Sequence, residues 1–442
     1  MVTVVTASEF RDMVDAARRE DRSLAVVDTR PEDSFAGWRI AGSINYFYKP
    51  FHEFDRDEFE SETGISPEET VVITCAKGKA SLDLGQELTA AGYEDVSVID
   101  DGMRGWSAVY DHAPVPLPDD GEAPLDVVQI QRRAKGCLGY LVVGGTEPRS
   151  DGTDRVAVAG SDGTDRVAVA IDVSRHGDEW VAAAEAYDAE IGAVIDTHVH
   201  ADHLSGGRAL ADELDVPYYL PAAAAERDVA HAFEPIGRNE VLDVGGVDLK
   251  ALATPGHTDD MASYLVGRSA VLTGDTLFTD SVGRTELQFA AGGADDGEDG
   301  DGSGNRDGDG SGNRETTGAR TGAERLYDSL HGTLLAEPDD VVVLPGHFSV
   351  ANDGTTGDVT PGEPVLTTVG EARTGIDVLD RDRESFVDRI TATLPEKPPN
   401  YESVIAANRG VESPSDETAA IELELGPNRC AAEPMPETEA DD

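Results

Sequence analysis

Short apolar runs alternate with polar stretches along the chain, and several of these runs end at a side chain that can bind a metal or act as a nucleophile. Residues 191–195 read Ile-Gly-Ala-Val-Ile, and residues 71–74 read Val-Val-Ile-Thr. Runs of this length that are rich in β-branched residues predict buried strands. The first run is followed by several histidines and the second by Cys75. The pattern therefore places the chemistry of this chain at the ends of predicted strands.

Residues 196–207 follow the first of these strands and contain four metal-binding side chains: His198, His200, Asp202 and His203. Three later apolar runs also end at such a residue, each preceded directly by glycine; these residues are His257, Asp275 and His347. Glycine allows the chain to turn sharply out of a strand. Neutral imidazole and carboxylate are ligands that zinc, iron and manganese accept. The strand ends therefore predict one metal pocket.

This pattern resembles the metallo-β-lactamase superfamily, whose signature is His-x-His-x-Asp-His followed by later His, Asp and His ligands. The resemblance implies a four-layer αββα sandwich with metals at one edge, which we expect over residues 126–411. Within the superfamily, residues 274–287 are similar to a stretch of persulfide dioxygenases, particularly those fused to rhodanese domains. Glu286 stands where those enzymes carry Asp. Residues 394–410 resemble the C-terminal segment of the same enzymes.

The resemblance implies one iron(II) per chain, held by His200, His257 and Asp275. Two imidazoles and one carboxylate leave coordination positions open for O2 and substrate. The other ligand-type residues would orient the metal ligands through hydrogen bonds; they are His198, Asp202, His203 and His347. Arg284 is expected to grip a substrate carboxylate with its planar guanidinium. Because the same ligands accept zinc, Zn²⁺ is the alternative metal.

The N-terminal part of the chain carries a second candidate centre at Cys75. A thiolate is the reactive form of cysteine, and its pKa falls at a helix N-terminus and beside cations. Cys75 precedes a helix-like stretch that starts at Ser81, and Lys77 and Lys79 lie on the loop between them. Backbone N–H groups of such a tight loop can bind an anion such as thiosulfate or a persulfide. We therefore expect a catalytic Cys75, with Lys77 and Lys79 binding substrate.

The surrounding motifs resemble a rhodanese domain over residues 1–112. The motifs are an Asp-x-Arg strand end at 28–30, Arg-Ile-Ala-Gly-Ser-Ile-Asn at 39–45, a Cys-x-x-Gly-x-Ala loop at 75–80 and a closing Gly…Trp at 102–106. Arg39 stands where the family usually has His. The resemblance implies a rhodanese-like α/β domain, a parallel sheet flanked by helices, that is competent in sulfur transfer.

Together the two resemblances imply an enzyme that oxidises a low-molecular-weight thiol persulfide with O2 to sulfite and thiol. The oxidation would be coupled to rhodanese sulfur transfer at Cys75, with thiosulfate as product or as donor. The alternative is a dinuclear zinc thiolester hydrolase of the glyoxalase II type, which uses all of the metal ligands. A hypothesis of another class is a persulfide carrier or sensor in which the metal is structural.

The net charge of the chain indicates the salt concentration at which it folds. It carries 88 acidic and 35 basic residues, a net charge of −53, and 39% hydrophobic residues. This charge excludes nucleic-acid binding through a basic surface, and it disfavours an anionic membrane. Self-repulsion of this size destabilises the compact state unless salt screens it. We therefore expect a halophilic protein.

The expected partners are small molecules: a thiol persulfide, O2, and thiosulfate or sulfite, with homo-oligomer formation left open. No apolar run reaches the ~18–20 residues of a membrane span, and the N-terminus lacks the features of a secretory signal. Cys75, Cys137 and Cys430 are too few and too scattered for a disulfide framework, which fits a reducing cytoplasm. Cys137 is expected to be a core residue.

Composition divides the chain into four parts. Residues 1–112 form the rhodanese-like domain, 113–125 a Pro- and Asp-rich linker, 126–411 the metallo-β-lactamase-like domain, and 412–442 an acidic, mobile tail. A Gly/Asp-rich block at 291–320 predicts a disordered insertion. Residues 150–159 recur as 161–170, and the first copy is expected to extend a β-hairpin.

Overall fold

Two α/β domains make up the described part of the chain. The computed structural model describes residues 1–50, 53–118, 124–145, 155–158, 160, 166–286, 311–392, 397–398, 400–426 and 428. Among these residues, no helix is both long enough and apolar enough to cross a membrane.

The N-terminal domain is built on one parallel sheet. Its strands are β1 (Thr3–Val5), β2 (Ala25–Asp28), β3 (Ile44–Asn45), β4 (Thr70–Thr74) and β5 (Asp95–Ile99), in the order β1-β5-β4-β2-β3. Its helices are α1 (Ala7–Arg19), α2 (Glu32–Gly37), α3 (Arg56–Thr63), α4 (Lys79–Ala90) and α5 (Gly102–Trp106). In β4, Val71 and Ile73 pack on one face and Val72 on the other. Burial on both faces explains the continuous apolar run that predicted this strand.

The second domain, called the metal domain, contains two mixed sheets. The first comprises β6 (Tyr110–Pro114), β7 (Asp126–Arg132), β8 (Cys137–Val143), β10 (Val167–Ile171), β11 (Glu190–Ile195), β12 (Tyr218–Pro221) and β13 (Glu234–Ile236). The second comprises β9 (Val156–Val158), β14 (Val241–Val244), β15 (Val247–Ala253), β16 (Ala262–Val266), β17 (Ala270–Gly274), β18 (Val342–Pro345) and β19 (Thr367–Thr368). Their orders are β13-β12-β11-β10-β8-β7-β6 and β19-β18-β17-β16-β15-β14-β9.

Helices cover the outer faces of both sheets. They are α6 (Asp178–Ala186), α7 (Gly207–Leu214), α8 (Ser311–Gly332), α9 (Val369–Gly375), α10 (Arg383–Ala392) and α11 (Tyr401–Asn408). A further helix, α12 (Glu417–Leu423), packs in a separate cluster with α11. Leu138 and Leu242 pack between the sheets. Val194 packs with Leu210 of α7 outside the first sheet, and Leu326 of α8 lies in the cluster outside the second. The expected α/β architecture is confirmed, with a rhodanese-like domain followed by an αββα sandwich.

The domain boundaries differ from those expected. Strand β6 starts at Tyr110 and pairs antiparallel with β7, so the metal domain begins before the expected linker at 113–125. Residues 119–123 of that linker lie outside the described residues. The two copies of the duplicated segment also separate, because β9 pairs with β14 in the second sheet while β10 lies in the first. The first copy therefore does not extend a hairpin with the second.

The predicted insertion at 291–320 is wrong at its C-terminal end, since α8 begins at Ser311. Residues 287–310 lie outside the described residues. Apolar side chains spaced three or four apart explain the helix: Ala319, Ala323, Leu326 and Leu330 are all buried. This spacing places them on one helical face against the second sheet.

The predicted mobile tail at 412–442 is likewise wrong over its first part, here called the C-terminal segment (residues 412–428). It contains α12, and its Glu424 is 1% exposed and bonded to Arg132 and Arg175. The Lys135 ammonium group donates to the Glu424 and Gly426 carbonyls, at 2.7 Å and 3.0 Å. Buried charge pairs fix this acidic segment. Residues 429–442, including Cys430, lie outside the described residues.

The two domains contact each other through polar and aromatic side chains. The Arg133 guanidinium of the metal domain pairs with Asp15 of α1, and it also holds Asp111 of β6. The Trp38 indole donates to the Ala134 carbonyl over 3.2 Å. Backbone pairing joins the Arg39 amide to the Asn352 carbonyl at 3.0 Å.

Candidate metal and thiol centres

The metal-binding side chains stand on turns that follow strand ends of both sheets. Strand β11 leads into residues 196–206, here called the ligand loop, and β15, β17 and β18 end shortly before the three later ligands. The turn into Asp275 favours glycine, since Gly274 has φ +48° and a Cβ there would lie 2.9 Å from Thr197 Oγ1. All seven predicted side chains are buried; they are His198, His200, Asp202, His203, His257, Asp275 and His347.

Three groups of ligand atoms form within this region, each with its atoms within 4.8 Å of one another. The triad group consists of His198, His257 and Asp275. The Asp172 group consists of Asp172, Asp196 and His200. The Cys137 group consists of Cys137, Asp202, His203 and His347. The predicted ligands are thus close together but divided among distinct clusters, with three additional residues among them.

The triad group has the strongest fit to a metal ion. The Nε2 atoms of His198 and His257 and Oδ2 of Asp275 are buried, and none of the three has a hydrogen-bond partner among the described residues. Buried polar atoms normally do have such partners. His257 Nδ1 donates to the Arg284 carbonyl at 2.8 Å, which leaves the Nε2 lone pair free to bind a metal. His198 Nδ1 is held by Thr197 Oγ1 at 2.9 Å.

Asp275 is charged in this environment. Burial alone would raise the pKa of this carboxyl, but His347, His257 and His198 together lower the pKa below its usual value. Its Oδ1 atom bonds His347 Nδ1 at 2.6 Å, and its Oδ2 atom lies 3.4 Å from His257 Nε2. An ionised carboxylate with one oxygen fixed and the other free is a suitable metal ligand.

The structure differs from the expected iron set at His200. It is His198 that lies with His257 and Asp275, whereas His200 Nε2 lies 3.2 Å from Asp172 Oδ1. Asp172 leaves β10 with φ +49° and accepts the Thr197 amide at 2.7 Å, so its carboxylate faces the start of the ligand loop. Burial and His203 lower the pKa of His200, yet Asp172 and Asp196 together raise it above its usual value.

Cys137 lies in a ligand cluster, although the sequence indicated a core residue. Its Sγ is 3.5 Å from Asp202 Oδ2, and the Cys137 backbone forms a β-bridge with His347. Burial and Asp202 raise the pKa of this thiol, but His347 and His203 outweigh them and bring the pKa to about 7. A glycine precedes Cys137, as it precedes the three later ligands. Because Cys137 begins a strand instead of following one, the strand-end pattern did not identify it.

His347 joins the Cys137 group to the triad group. Its Nε2 atom bonds Asp202 Oδ2 at 2.8 Å, while its Nδ1 atom bonds Asp275. Both ring nitrogens therefore face carboxylates. The pKa of Asp202 lies well below its usual value because His347 and His203 outweigh the effect of burial, which raises it.

Arg284 is fully buried and paired with Glu286. Its Nε donates to Glu286 Oε1 at 2.7 Å, and its backbone carbonyl accepts from His257. The structure thus gives Arg284 a place beside a metal ligand and an internal ion-pair partner. Its contact with a substrate carboxylate stays a prediction.

The ligand loop is held from the C-terminal side of the chain. Asn408 Nδ2 donates to the His200 and His203 carbonyls at 2.9 Å and 2.8 Å, and Asn408 Oδ1 accepts the Ser205 amide. Glu424 Oε1 accepts the Leu204 amide at 2.8 Å. These contacts fix the backbone on which the metal-binding side chains stand. They join residues more than 200 positions apart, so no local sequence pattern reveals them.

The second centre lies at the end of β4. Cys75 follows Thr74 directly, and Gly78, at φ +78°, caps the N-terminus of α4. The Cys75 Sγ lies 3.5 Å from Ser81 Oγ, and the Cys75 carbonyl accepts the Met103 amide at 2.8 Å. Lys77 is exposed on the loop, and Lys79 is exposed at the first position of α4. Strand, tight loop and helix thus place the thiol at the N-terminus of α4.

Fold and sites together define a metal-binding αββα sandwich preceded by a thiol-bearing parallel α/β domain. The description "Rhodanese-like domain" matches residues 6–109, and "Metallo-beta-lactamase superfamily" matches residues 162–347. An uncharacterized protein of Mycobacterium leprae is 30% identical over 179 residues, which cover 35% of this chain and 68% of that protein. The metal domain therefore has the metallo-beta-lactamase fold, and a rhodanese-like domain precedes it.

A curated hydrolase and a solved structure are also similar to this chain. A hydroxyacylglutathione hydrolase of Acidiphilium cryptum is 35% identical over 115 residues, 25% of this chain and 47% of that protein. The chain spans about half the length of several curated relatives, between 41% and 55% of each. The crystal structure of ETHE1 from Myxococcus xanthus is 25% identical, with a TM-score of 0.45, and the match covers 64% of this chain and 97% of that one.

Proposed function

We propose that this protein is an iron-dependent persulfide dioxygenase whose reaction is coupled to sulfur transfer at Cys75. The observation that carries the proposal is the triad group, in which two imidazole nitrogens and one carboxylate oxygen are buried and have no hydrogen-bond partner within the part of the chain that the structure describes. Such a set binds non-haem iron(II) and leaves positions open for O2 and substrate. When bound there, iron(II) supplies the redox chemistry between O2 and the terminal sulfur of a low-molecular-weight thiol persulfide.

The chain's own residues orient and protect this site. The Arg284 carbonyl fixes the ring of His257, Thr197 fixes that of His198, and His347 fixes one oxygen of Asp275. Partners of this kind hold metal ligands in the tautomer and orientation that binding requires. Burial of the ligands keeps bulk water away from the reacting sulfur.

The N-terminal domain would link this oxidation to sulfur transfer. A Cys75 thiolate can accept sulfane sulfur from thiosulfate, or a Cys75 persulfide can pass its outer sulfur to sulfite and form thiosulfate. Both directions use the same nucleophile at the N-terminus of α4. A reducing cytoplasm is the proposed setting, because the thiol and iron(II) both persist there.

A zinc thiolester hydrolase is the second candidate function. The Cys137 group favours it, since Asp202, His203 and His347 provide a second ligand cluster beside the triad group. Two adjacent metals are typical of hydrolytic sites. The dioxygenase agrees better with His347, because both of its nitrogens are already engaged by carboxylates.

Metal content and O2 uptake distinguish the two functions. Protein purified anaerobically in molar salt should contain about one iron per chain and should consume O2 when a thiol persulfide is added. The His257→Ala variant should lose both iron and uptake, because it removes one of the three free ligand atoms. The His112→Ala variant is the matched control, since His112 pairs with Glu179 and belongs to none of the three ligand groups.

Two zinc ions per chain, no O2 uptake and cleavage of a thiolester would establish the hydrolase instead. Unchanged O2 uptake in the His257→Ala variant would remove the dioxygenase proposal altogether.

A further inference from the structure

A cavity of about 290 Å³ opens beside the Cys75 loop, at the boundary between the two domains. Ala76 and Lys77, which follow Cys75, line it together with Met103 and Arg104 of α5. Arg30 and Trp38 of the N-terminal domain also line it, and Glu422 and Leu425 of the C-terminal segment supply the wall from the metal domain. The pocket next to the nucleophile is therefore built from both domains.

Two cationic side chains at this cavity, Lys77 and Arg104, could bind an anion, and both lie near the carboxylate of Glu422. Glu422 Oε1 lies 2.8 Å from Arg104 Nη2 and 3.9 Å from Lys77 Nζ. Arg104 lines the cavity with a side chain that is 10% exposed, and its Nη1 atom donates to Thr418 Oγ1 at 3.4 Å. The two cations share this one carboxylate, which leaves a local excess of positive charge in a chain of net charge −53. An anionic ligand that enters the cavity competes with Glu422 for the same donors.

Apolar surface borders the same cations. Trp38 and Met103 are buried in the N-terminal domain, whereas Leu425 is 37% exposed on the C-terminal segment. Polarisable and aromatic side chains favour contact with sulfur. The chemistry of the cavity therefore matches a small molecule that combines a negative charge with sulfur.

We propose that this cavity binds the small anionic sulfur donor of Cys75, and that Glu422 of the metal domain sets the affinity for it by occupying its cation site. The inference rests on the proposed sulfur transfer at Cys75. With thiosulfate, the Cys75 thiolate attacks the outer sulfur and the S–S bond of thiosulfate breaks. Its electron pair leaves on sulfite, and Cys75 keeps the new S–S bond. No external oxidant or reductant is needed, because sulfite is the leaving group.

Thiosulfate:cyanide sulfurtransfer by the full-length protein tests the proposal. The Glu422→Gln variant should lower the KM for thiosulfate by roughly two- to fivefold, with kcat nearly unchanged, because the competing charge is gone. The effect should shrink as salt rises, since screening weakens the attraction between exposed charges. The Arg104→Ala variant should raise the KM.

Glu417→Gln is the matched control, because Glu417 lies on the same helix, pairs with Arg175 and does not line the cavity. If transfer depends on Cys75 but the KM of Glu422→Gln equals that of wild type and of Glu417→Gln, the composite site is wrong and the proposed function stands. If wild type transfers no more sulfur than Cys75→Ser, sulfur transfer at Cys75 fails and the inference fails with it. Calorimetric titration of thiosulfate into Cys75→Ser measures the affinity without turnover, and Glu422→Gln should tighten it in that background.

Discussion

At the scale of single residues, the metal centre contains several histidine rings that lie close together but belong to different ligand groups. The His200 ring lies between those of His198 and His203, with ring centroids 4.3 Å and 4.2 Å away. Both ring nitrogens of His200 are buried without a hydrogen bond among the described residues. His200 could therefore bind a metal through its free nitrogens, but it lies beside Asp172 and outside the triad group.

Removing each of these histidines in turn tests that assignment. The His198→Ala variant should lose most of its iron, because His198 supplies one of the three free atoms of the triad group. The His200→Ala variant should retain the larger share, since His257, Asp275 and His198 remain in place. Elemental analysis of both proteins after identical anaerobic purification measures the difference. Equal loss would show that His200 ligates the same ion, as the sequence resemblance implied.

The sequence predicted the identity of the ligands better than their arrangement. A strand end followed by glycine and a ligand-type residue is a local signal, and it led to His257, Asp275 and His347. The division into groups depends on Asp172, which directly follows β10, and on Cys137, which begins β8; both meet the ligand loop only after the sheet forms. Such tertiary contacts leave no trace in the spacing of the motif.

At the scale of elements, the C-terminal segment is a structural part of the metal centre. Glu424 is bonded to Arg132 and Arg175, and it accepts the Leu204 amide in the ligand loop. Burial raises the pKa of this carboxyl, but Arg132, Lys135 and Arg175 outweigh it and lower the pKa to about 2. The charged form of Glu424 therefore stabilises the folded chain.

The Glu424→Gln variant should destabilise the protein by about 3 kcal/mol or more at neutral pH, because it leaves buried arginine charge without its partner. Since the folded pKa is depressed, the wild-type contribution is present above about pH 4.5 and is lost as the pH falls toward about 2. Urea unfolding at fixed salt, repeated across this range, measures both effects. The exposed Glu412→Gln serves as control, and a Glu424→Gln curve that matches it at neutral pH would contradict the prediction.

Elements with strong periodicity were easier to predict than those that depend on distant partners. The apolar run of β4 indicated a buried strand, and the fold confirms it. The stripe at Ala319, Ala323, Leu326 and Leu330 was hidden by the Gly- and Asp-rich composition just before it. Acidic composition likewise suggested a mobile tail, because the arginines and the lysine that neutralise Glu424 lie far away in the sequence.

At the scale of the whole molecule, the net negative charge is the main influence on how the stability of the fold depends on salt. Because the net charge is −53, the excess acidic side chains repel one another over distances up to about the screening length. The pair of Arg133 with Asp15 joins the domains, and Arg133 also pairs with Asp111 within the metal domain, but such pairs offset a small part of that charge. Salt at molar concentration shortens the screening length to about 3 Å and removes most of the long-range repulsion.

The midpoint of thermal unfolding should therefore rise steeply as KCl increases from about 0.1 M to about 2 M, since screening relieves the folded state more than the expanded one. Circular dichroism at each salt concentration follows the transition, and sucrose at equal osmolality controls for general exclusion from the surface. A midpoint that stays constant or falls would mean that salt-sensitive ion pairs outweigh self-repulsion.

The hydrogen bonds from Glu424 and Asn408 to the ligand loop also bear on when the metal site can form during synthesis of the chain. These residues are translated more than 200 positions after the loop that they fix. A nascent chain in which all of the metal-binding residues have been translated still lacks the two residues that position the backbone of the ligand loop. Stable metal capture is therefore tied to completion of α11 and the C-terminal segment, and a chain interrupted before Asn408 would carry every ligand but lack the contacts that hold the ligand loop.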